Sequence, residues 1–270
     1  MKNHQSLKKR NIQKAKTFKK VPLRSRFFPV ISTLFFFGGI FLILAILFQV
    51  PKYFSKPIDK SKITIHGQEV LNKEIIINQM NISDHESWFS IDPFVISSRL
   101  RKHPWIDFAL VHKKPDLGLE ITITERRPIA YLKTKDNLFF LGNDYLVLNM
   151  IPSVKIWNLV VIVNSNLKGI KAGDFLPETE FSKPFRLIEL LNGNQALPLN
   201  TVSEIIVDDP LNIKIVTMPD GVIVNFGFSD FDSKLTNLYF SLPRLKDERN
   251  RLDYIDLRHE RGVIIKRKSG

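Results

Sequence analysis

The sequence contains no cysteine. That absence removes a disulfide scaffold, a thiolate metal site and a cysteine nucleophile together, although it does not fix a compartment. Acidic side chains are missing over a long stretch as well, the first being Asp59. There is no HExxH pair, no G-x-S-x-G elbow and no phosphate-binding glycine loop, so the familiar signatures of zinc hydrolases, serine hydrolases and nucleotide enzymes are lacking. The histidines are scattered at 4, 66, 85, 103, 112 and 259. His103, Asp107 and His112 lie near one another in sequence but straddle a helix stop and a strand, so surface positions are expected rather than a metal set. The carboxylate pairs Asp208, Asp209 and Asp230, Asp232 read as turn and helix-cap residues. No catalytic residue, no metal and no cofactor is expected, and the chain reads as a non-enzyme.

What is present is an uneven distribution of charge. The formal net charge is +13, from 40 basic and 27 acidic residues. Residues 1–26 carry ten Lys or Arg and no acid, which leaves +3 for everything that follows. The excess therefore belongs to a tail and does not argue for a nucleic-acid partner. Directly after the tail, residues 27–50 read FFPVISTLFFFGGIFLILAILFQV, without a charged side chain. As a helix this stretch spans about 36 Å, enough for a hydrocarbon core of about 30 Å. It has no polar stripe, which argues against a buried core helix. It also exceeds the apolar region of a cleaved secretory signal, and Phe48-Gln49-Val50-Pro51 does not offer the small residues of a cleavage site. An uncleaved signal anchor is expected, with the basic tail (1–26) cytoplasmic by the positive-inside rule and residues 51–270 exported.

The exported part begins with a polar linker (51–62). Ile63, Thr64 and Ile65 signal a short strand closed at Gly67, and a helix is expected from about Leu71 to Met80. A second helix is marked by Asp92 as cap and Pro93 at its first position, and runs to about Lys102 before Pro104 stops it. Trp105 to Val111 reads as a strand. Leu119, Ile121 and Ile123 then alternate with Glu120, Thr122 and Thr124, the cleanest period-two run in the chain. Strand, helix, helix, strand, strand is a small α+β module with its helices on one sheet face and the other face wet. From residue 129 onward short strand signals recur. They are interrupted by a helix expected over Pro184–Leu191 and by another starting near Ser229 or Asp230, with Leu235, Leu238, Leu242 and Leu245 on one side and Pro243 near its end. A mostly antiparallel β domain with packed helices is expected for 129–270. Its last strand signal, Val263 to Ile265, reads equally well as an edge protected by the charges around it or as an edge left open for a partner strand.

Several short motifs share one order. Ile63-Thr64-Ile65-His66-Gly67 resembles the entry strand of a POTRA domain. Trp88-Phe89-Ser90-Ile91-Asp92 and Pro104-Trp105-Ile106 follow it. Next come Lys114-Pro115-Asp116, Leu119-Glu120-Ile121 and Glu125-Arg126-Arg127-Pro128-Ile129-Ala130. Gly227, Lys234-Leu235 and Tyr254-Ile255-Asp256-Leu257-Arg258 close the series. In this order, behind a signal anchor, they resemble the FtsQ/DivIB family of bacterial cell-division proteins, with a POTRA domain over 63–128 and the family's β domain beyond it. The resemblance implies a bitopic scaffold of the divisome in the inner membrane, enriched at the septum, that works without cofactor or substrate turnover. It implies FtsB- and FtsL-type partners, FtsB adding a strand to the C-terminal edge, and further division contacts through the POTRA region and tail. The edge would correspond to Arg258, His259, Gly262, Val263, Ile264 and Ile265, and proline at Ile264 would be expected to block pairing. His259 stands where relatives carry Tyr, and Lys266, Arg267 and Lys268 occupy a region that is more apolar elsewhere in the family. Two other classes remain open on the residues alone. One is a POTRA-containing export or outer-membrane assembly factor, which would usually carry several POTRA units or a barrel. The other is a membrane-anchored cell-wall enzyme.

Overall fold

A computed structural model of the chain describes residues 23–54, 57–83, 85–151, 157–245, 251–259 and 262–268. Residues 1–22 of the basic tail lie outside the described residues, as do Glu260 and Arg261 next to the expected edge. Contacts divide the chain into two compact units, Met1–Lys56 and Pro57–Gly270.

The first unit contains one helix, α1 (Leu23–Phe54). It runs past both ends of the uncharged stretch, taking in Pro51 and the first residues of the expected linker. Within it, Ser32–Val50 has a mean hydropathy of 2.4, and none of that window is buried. Phe35, Phe41 and Phe48 are each at least 70% exposed. A helix apolar on every side and covered on none is stable in lipid rather than in water, because its backbone is internally satisfied and its side chains are not.

The second unit opens with β1 (Ile63–His66), α2 (Lys73–Met80), α3 (Pro93–Leu100), β2 (Ile106–Lys113) and β3 (Leu119–Glu125). The three strands form one sheet in the order β1-β3-β2, with β1 parallel and β2 antiparallel to β3. The alternation of β3 is realised: Leu119, Ile121 and Ile123 are buried against Ile76, Met80, Ile96 and Leu100 of the helices, while Thr122 and Thr124 face solvent. Asp92 caps α3 by accepting the Phe94 amide at 2.8 Å. α2 starts two residues later than expected, at Lys73, with Asn72 as cap. The cause is Glu125, whose carboxylate accepts the amides of Glu69, Val70 and Leu71 at 3.0, 2.7 and 2.8 Å and so holds that turn outside the helix. Gly67 is required by space as well as by its φ of +88°, because a Cβ there would collide with the Ile123 carbonyl oxygen.

β4 (Pro128–Lys133) leads into a nine-stranded mixed sheet with β5 (Leu138–Gly142), β6 (Val147–Leu148), β7 (Val161–Val163), β8 (Val202–Asp209), β9 (Asn212–Thr217), β10 (Ile223–Gly227), β11 (Leu252–Asp256) and β12 (Ile264–Arg267). Its order is β12-β11-β10-β9-β8-β7-β4-β5-β6. Five of its pairings are antiparallel and three are parallel: β4 with β7, β7 with β8, and β10 with β11. Two of the parallel pairs are bridged by helices, α4 (Glu178–Leu191) between β7 and β8 and α5 (Phe231–Leu245) between β10 and β11, as a parallel crossover demands. α4 starts six residues before the expected Pro184, which sits buried within it. Phe181, Pro184, Phe185 and Ile188 make one buried stripe, and packing of that stripe outweighs the amide that proline lacks.

The two sheets share an apolar seam. Phe140, Leu146 and Leu148 are buried in the same cluster as the Trp105 core. Trp105 meets Phe140 edge-on at 5.4 Å and donates its indole N–H to the Asn149 carbonyl at 3.0 Å. Arg126 fastens the seam: it donates to the carbonyls of Pro104 and Ile106 at 2.8 Å each and to Asp144 at 3.1 Å, and its other nitrogen lies 3.5 Å from Asp107. Asp107 is thus engaged with Arg126. Among the described residues, no group of three His, Asp or Glu is placed to hold a metal ion.

Candidate partner-binding edge

The nine-stranded sheet has two ends of different character. At one end β5 and β6 send Phe140 and Leu148 into the seam with the first sheet. At the other end, among the described residues, β12 pairs with β11 on one side only. β12 is therefore the edge at which backbone amides and carbonyls face outward.

The outward positions follow from the ladder. The Lys268 amide donates to the Arg251 carbonyl at 2.8 Å. By the alternation of an antiparallel pair, Ile264 and Lys266 then also face β11, whereas Ile265 presents its amide and carbonyl outward. Proline at Ile264 would thus break the protein's own ladder. Proline at Ile265 removes an outward donor, and is the substitution that probes a partner strand.

The remaining sequence-derived positions lie around this strand. Arg258, beyond the end of β11, holds Asp256 through both carboxylate oxygens, its Nη2 at 2.6 Å. His259 is exposed in the bend after it, and Gly262 is half-buried. Val263 and Ile265 pack on the main core, while Ile264 is 46% exposed. Lys266 lies 3.3 Å from Asp253 and 5.7 Å from the Tyr254 ring.

Behind the edge, residues far apart in sequence meet in one cluster. Lys234 of α5 is buried and donates to the carbonyls of Phe226 at 2.9 Å and Ser229 at 2.6 Å. Gly227, at φ +69°, leaves the room: a Cβ there would come within 3.3 Å of Arg258 and 3.4 Å of Lys234. Burial lowers the Lys234 pKa, with Asp230 and Asp256 opposing it. Hydrogen bonds from Arg258 hold the Asp256 carboxyl below its ordinary value, and the Arg258 guanidinium is raised in return. The cluster ties β10, α5 and β11 together at the root of β12. Of the carboxylates expected in turns and caps, Asp209 accepts the Leu211 amide within its own turn at 2.8 Å and Asp232 lies in the first turn of α5, whereas Asp208 reaches across the sheet to accept the Ser165 amide at 2.6 Å.

Two features escape sequence reasoning. An apolar groove of about 760 Å³ runs beside β11, lined in part by Tyr239, Phe240 and Leu242 of α5, Pro198, and Leu252 and Ile255. Tyr239 and Phe240 lie off the leucine stripe of α5, which is the one signal that could have marked it. On the first sheet, the edge strand β2 exposes Phe108 and Leu110 at the positions where alternation leads one to expect polar residues.

An apolar membrane-length helix, a β-α-α-β-β domain and a strand-rich domain ending in an open edge define a membrane-anchored POTRA protein. Residues 60–126 match the family model of the POTRA domain, FtsQ-type. The chain is 28% identical over 209 residues to the cell division protein FtsQ of Syntrophotalea carbinolica, covering 77% of this chain and 74% of that one. It is 23% identical to the FtsQ of Haemophilus influenzae (84% and 85% covered) and 24% identical to the cell division protein DivIB of Clostridium botulinum (75% and 79%). Residues 60–126 are thus a POTRA domain of the FtsQ type, and over about three quarters of its length the chain is similar to FtsQ/DivIB cell-division proteins.

Proposed function

We propose that this protein is a bitopic divisome scaffold of the inner membrane, its tail cytoplasmic and residues 57–270 outside, enriched at the septum. It captures FtsB- and FtsL-type partners by β-strand addition at β12 and links early and late division proteins without turning over a substrate. The observation that carries this reading is the asymmetry of the large sheet, whose β6 end is packed into the seam while β12, among the described residues, has a strand on one side alone. A strand added at β12 would find the outward amide and carbonyl of Ile265 and the apolar side chains of Val263 and Ile265 on one face. Exposed Phe108 and Leu110 on β2 support a second contact, through the POTRA domain, with other division proteins.

The test is photo-crosslinking from Ile265 in living cells, with Ile265→Pro as the partner variant. The expected adduct is a small bitopic coiled-coil protein, and co-purification of that protein is lost in Ile265→Pro while circular dichroism of the variant is unchanged. Adducts confined to wall polymer, or undiminished capture by a folded Ile265→Pro, would overturn the reading.

A further inference from the structure

The charge left after the tail is subtracted is itself localised. Residues 251–268 contain Arg251, Arg258, Arg261, Lys266, Arg267 and Lys268 against Asp253, Asp256 and Glu260, a net +3. That equals the whole excess of residues 27–270, so the rest of this stretch is neutral in sum. On β12 the charges also have a direction. Ile265 and Val263 pack toward the core, so alternation places Lys266 and Lys268 on the opposite face, where both are exposed. The Lys266–Asp253 pair has side chains 56% and 46% exposed, a pairing worth little that an incoming carboxylate can displace.

We propose that the β12 edge selects an acidic strand, an extended segment in which carboxylates alternate with apolar side chains. The carboxylates lie opposite Lys266 and Lys268, and the apolar residues continue the face of Ile265. This rests on the strand-addition reading and adds the chemistry of the partner to it. Two lysines on one face repel a basic strand and gain nothing from a neutral one, so the edge discriminates by cost as well as by attraction. The same charges keep copies of this protein from pairing edge to edge through β12, since like would face like.

The experiment uses the full chain in nanodiscs of zwitterionic lipid, titrated with short fluorescent peptides in which valine alternates with glutamate, serine or lysine. The expected result is that the glutamate peptide binds at least about tenfold more tightly than the serine peptide, with an advantage that shrinks as salt rises. Lys266→Glu with Lys268→Glu should invert the preference toward the lysine peptide. Equal binding of glutamate and serine peptides, both lost in Ile265→Pro, would overturn charge selection and leave strand addition standing. Glutamate-peptide binding that survives the double reversal would assign the attraction to the tail and overturn the proposal. If no peptide binds, or Ile265→Pro changes nothing, the edge reading fails and the inference with it.

Discussion

Replacing Glu125 by alanine should open one turn of the POTRA domain while sparing the large sheet. The side chain accepts three successive backbone amides, those of residues 69, 70 and 71, within 3.0 Å. A hydrogen bond to a charged acceptor contributes about 1.5–3 kcal/mol net. The amide at Glu69 is exposed and rehydrates when the carboxylate goes; those at Val70 and Leu71 are partly buried, and the Leu71 side chain is 3% exposed in the core. Counting the two sheltered bonds at the low end gives about 3 kcal/mol, or roughly two decades in the local opening constant. Hydrogen exchange read by mass spectrometry on a peptide spanning residues 67–72 should therefore speed up about a hundredfold in Glu125→Ala. Glu125→Gln keeps one carbonyl acceptor and should fall between. Unchanged exchange at these amides in Glu125→Ala would refute the reasoning, as would a glutamine variant as damaged as the alanine one.

Two further outcomes concern the seam and the root of the edge. In a double-mutant cycle of Arg126→Ala and Asp144→Ala, the coupling measured by chemical denaturation should be about 1–2 kcal/mol, because a half-buried guanidinium loses its carboxylate while still holding two carbonyls; strict additivity would remove the clasp. Asp256 titrates below its ordinary value in the folded protein, so its contribution is present above the unfolded carboxyl pKa and is lost as pH falls through the lower folded one. Acid should therefore weaken the β11–β12 region below about pH 4. In Asp256→Asn that acid limb, followed by amide exchange of residues 252–256, should flatten, and a limb identical to the wild type would exclude this group.

Local features of the fold were legible because each depends on neighbours in sequence. The alternation of β3 and the Asp92-Pro93 start of α3 are of that kind, and both stand as read. Contacts across the chain were not legible. Glu125 reaches amides more than fifty residues away, and although the motif Glu125-Arg126-Arg127-Pro128 singles it out, nothing local says where its carboxylate goes. The parallel pairings were partly legible in principle: a strand at 161–163, a helix and a strand at 202–209 is the pattern of a crossover, yet the many short strands around it favour an antiparallel reading. At the edge, the sequence marked Val263 to Ile265 as the last strand, but which amides face outward depends on the register with β11. The gathering of Gly227, Lys234, Asp256 and Arg258 was hidden for the same reason, since α5 folds back to bring together residues spread over more than thirty positions.

The strand order also bears on how one chain could serve several partners. β4 continues directly from the POTRA domain, and from β6 to β12 the large sheet is a single hydrogen-bonded ladder. With strands about 4.8 Å apart, its two ends are separated by roughly 38 Å. The seam occupies one end and the open edge lies at the other, so a strand added at β12 extends the sheet away from the Arg126 clasp. A partner on β2 and a partner on β12 would then meet different sheets, joined by the packed seam of Trp105, Phe140 and Leu148. Such a pair of surfaces needs no conformational signal to act together. Fixed geometry alone raises the effective concentration of one bound protein near the other, which is the physical content of scaffolding.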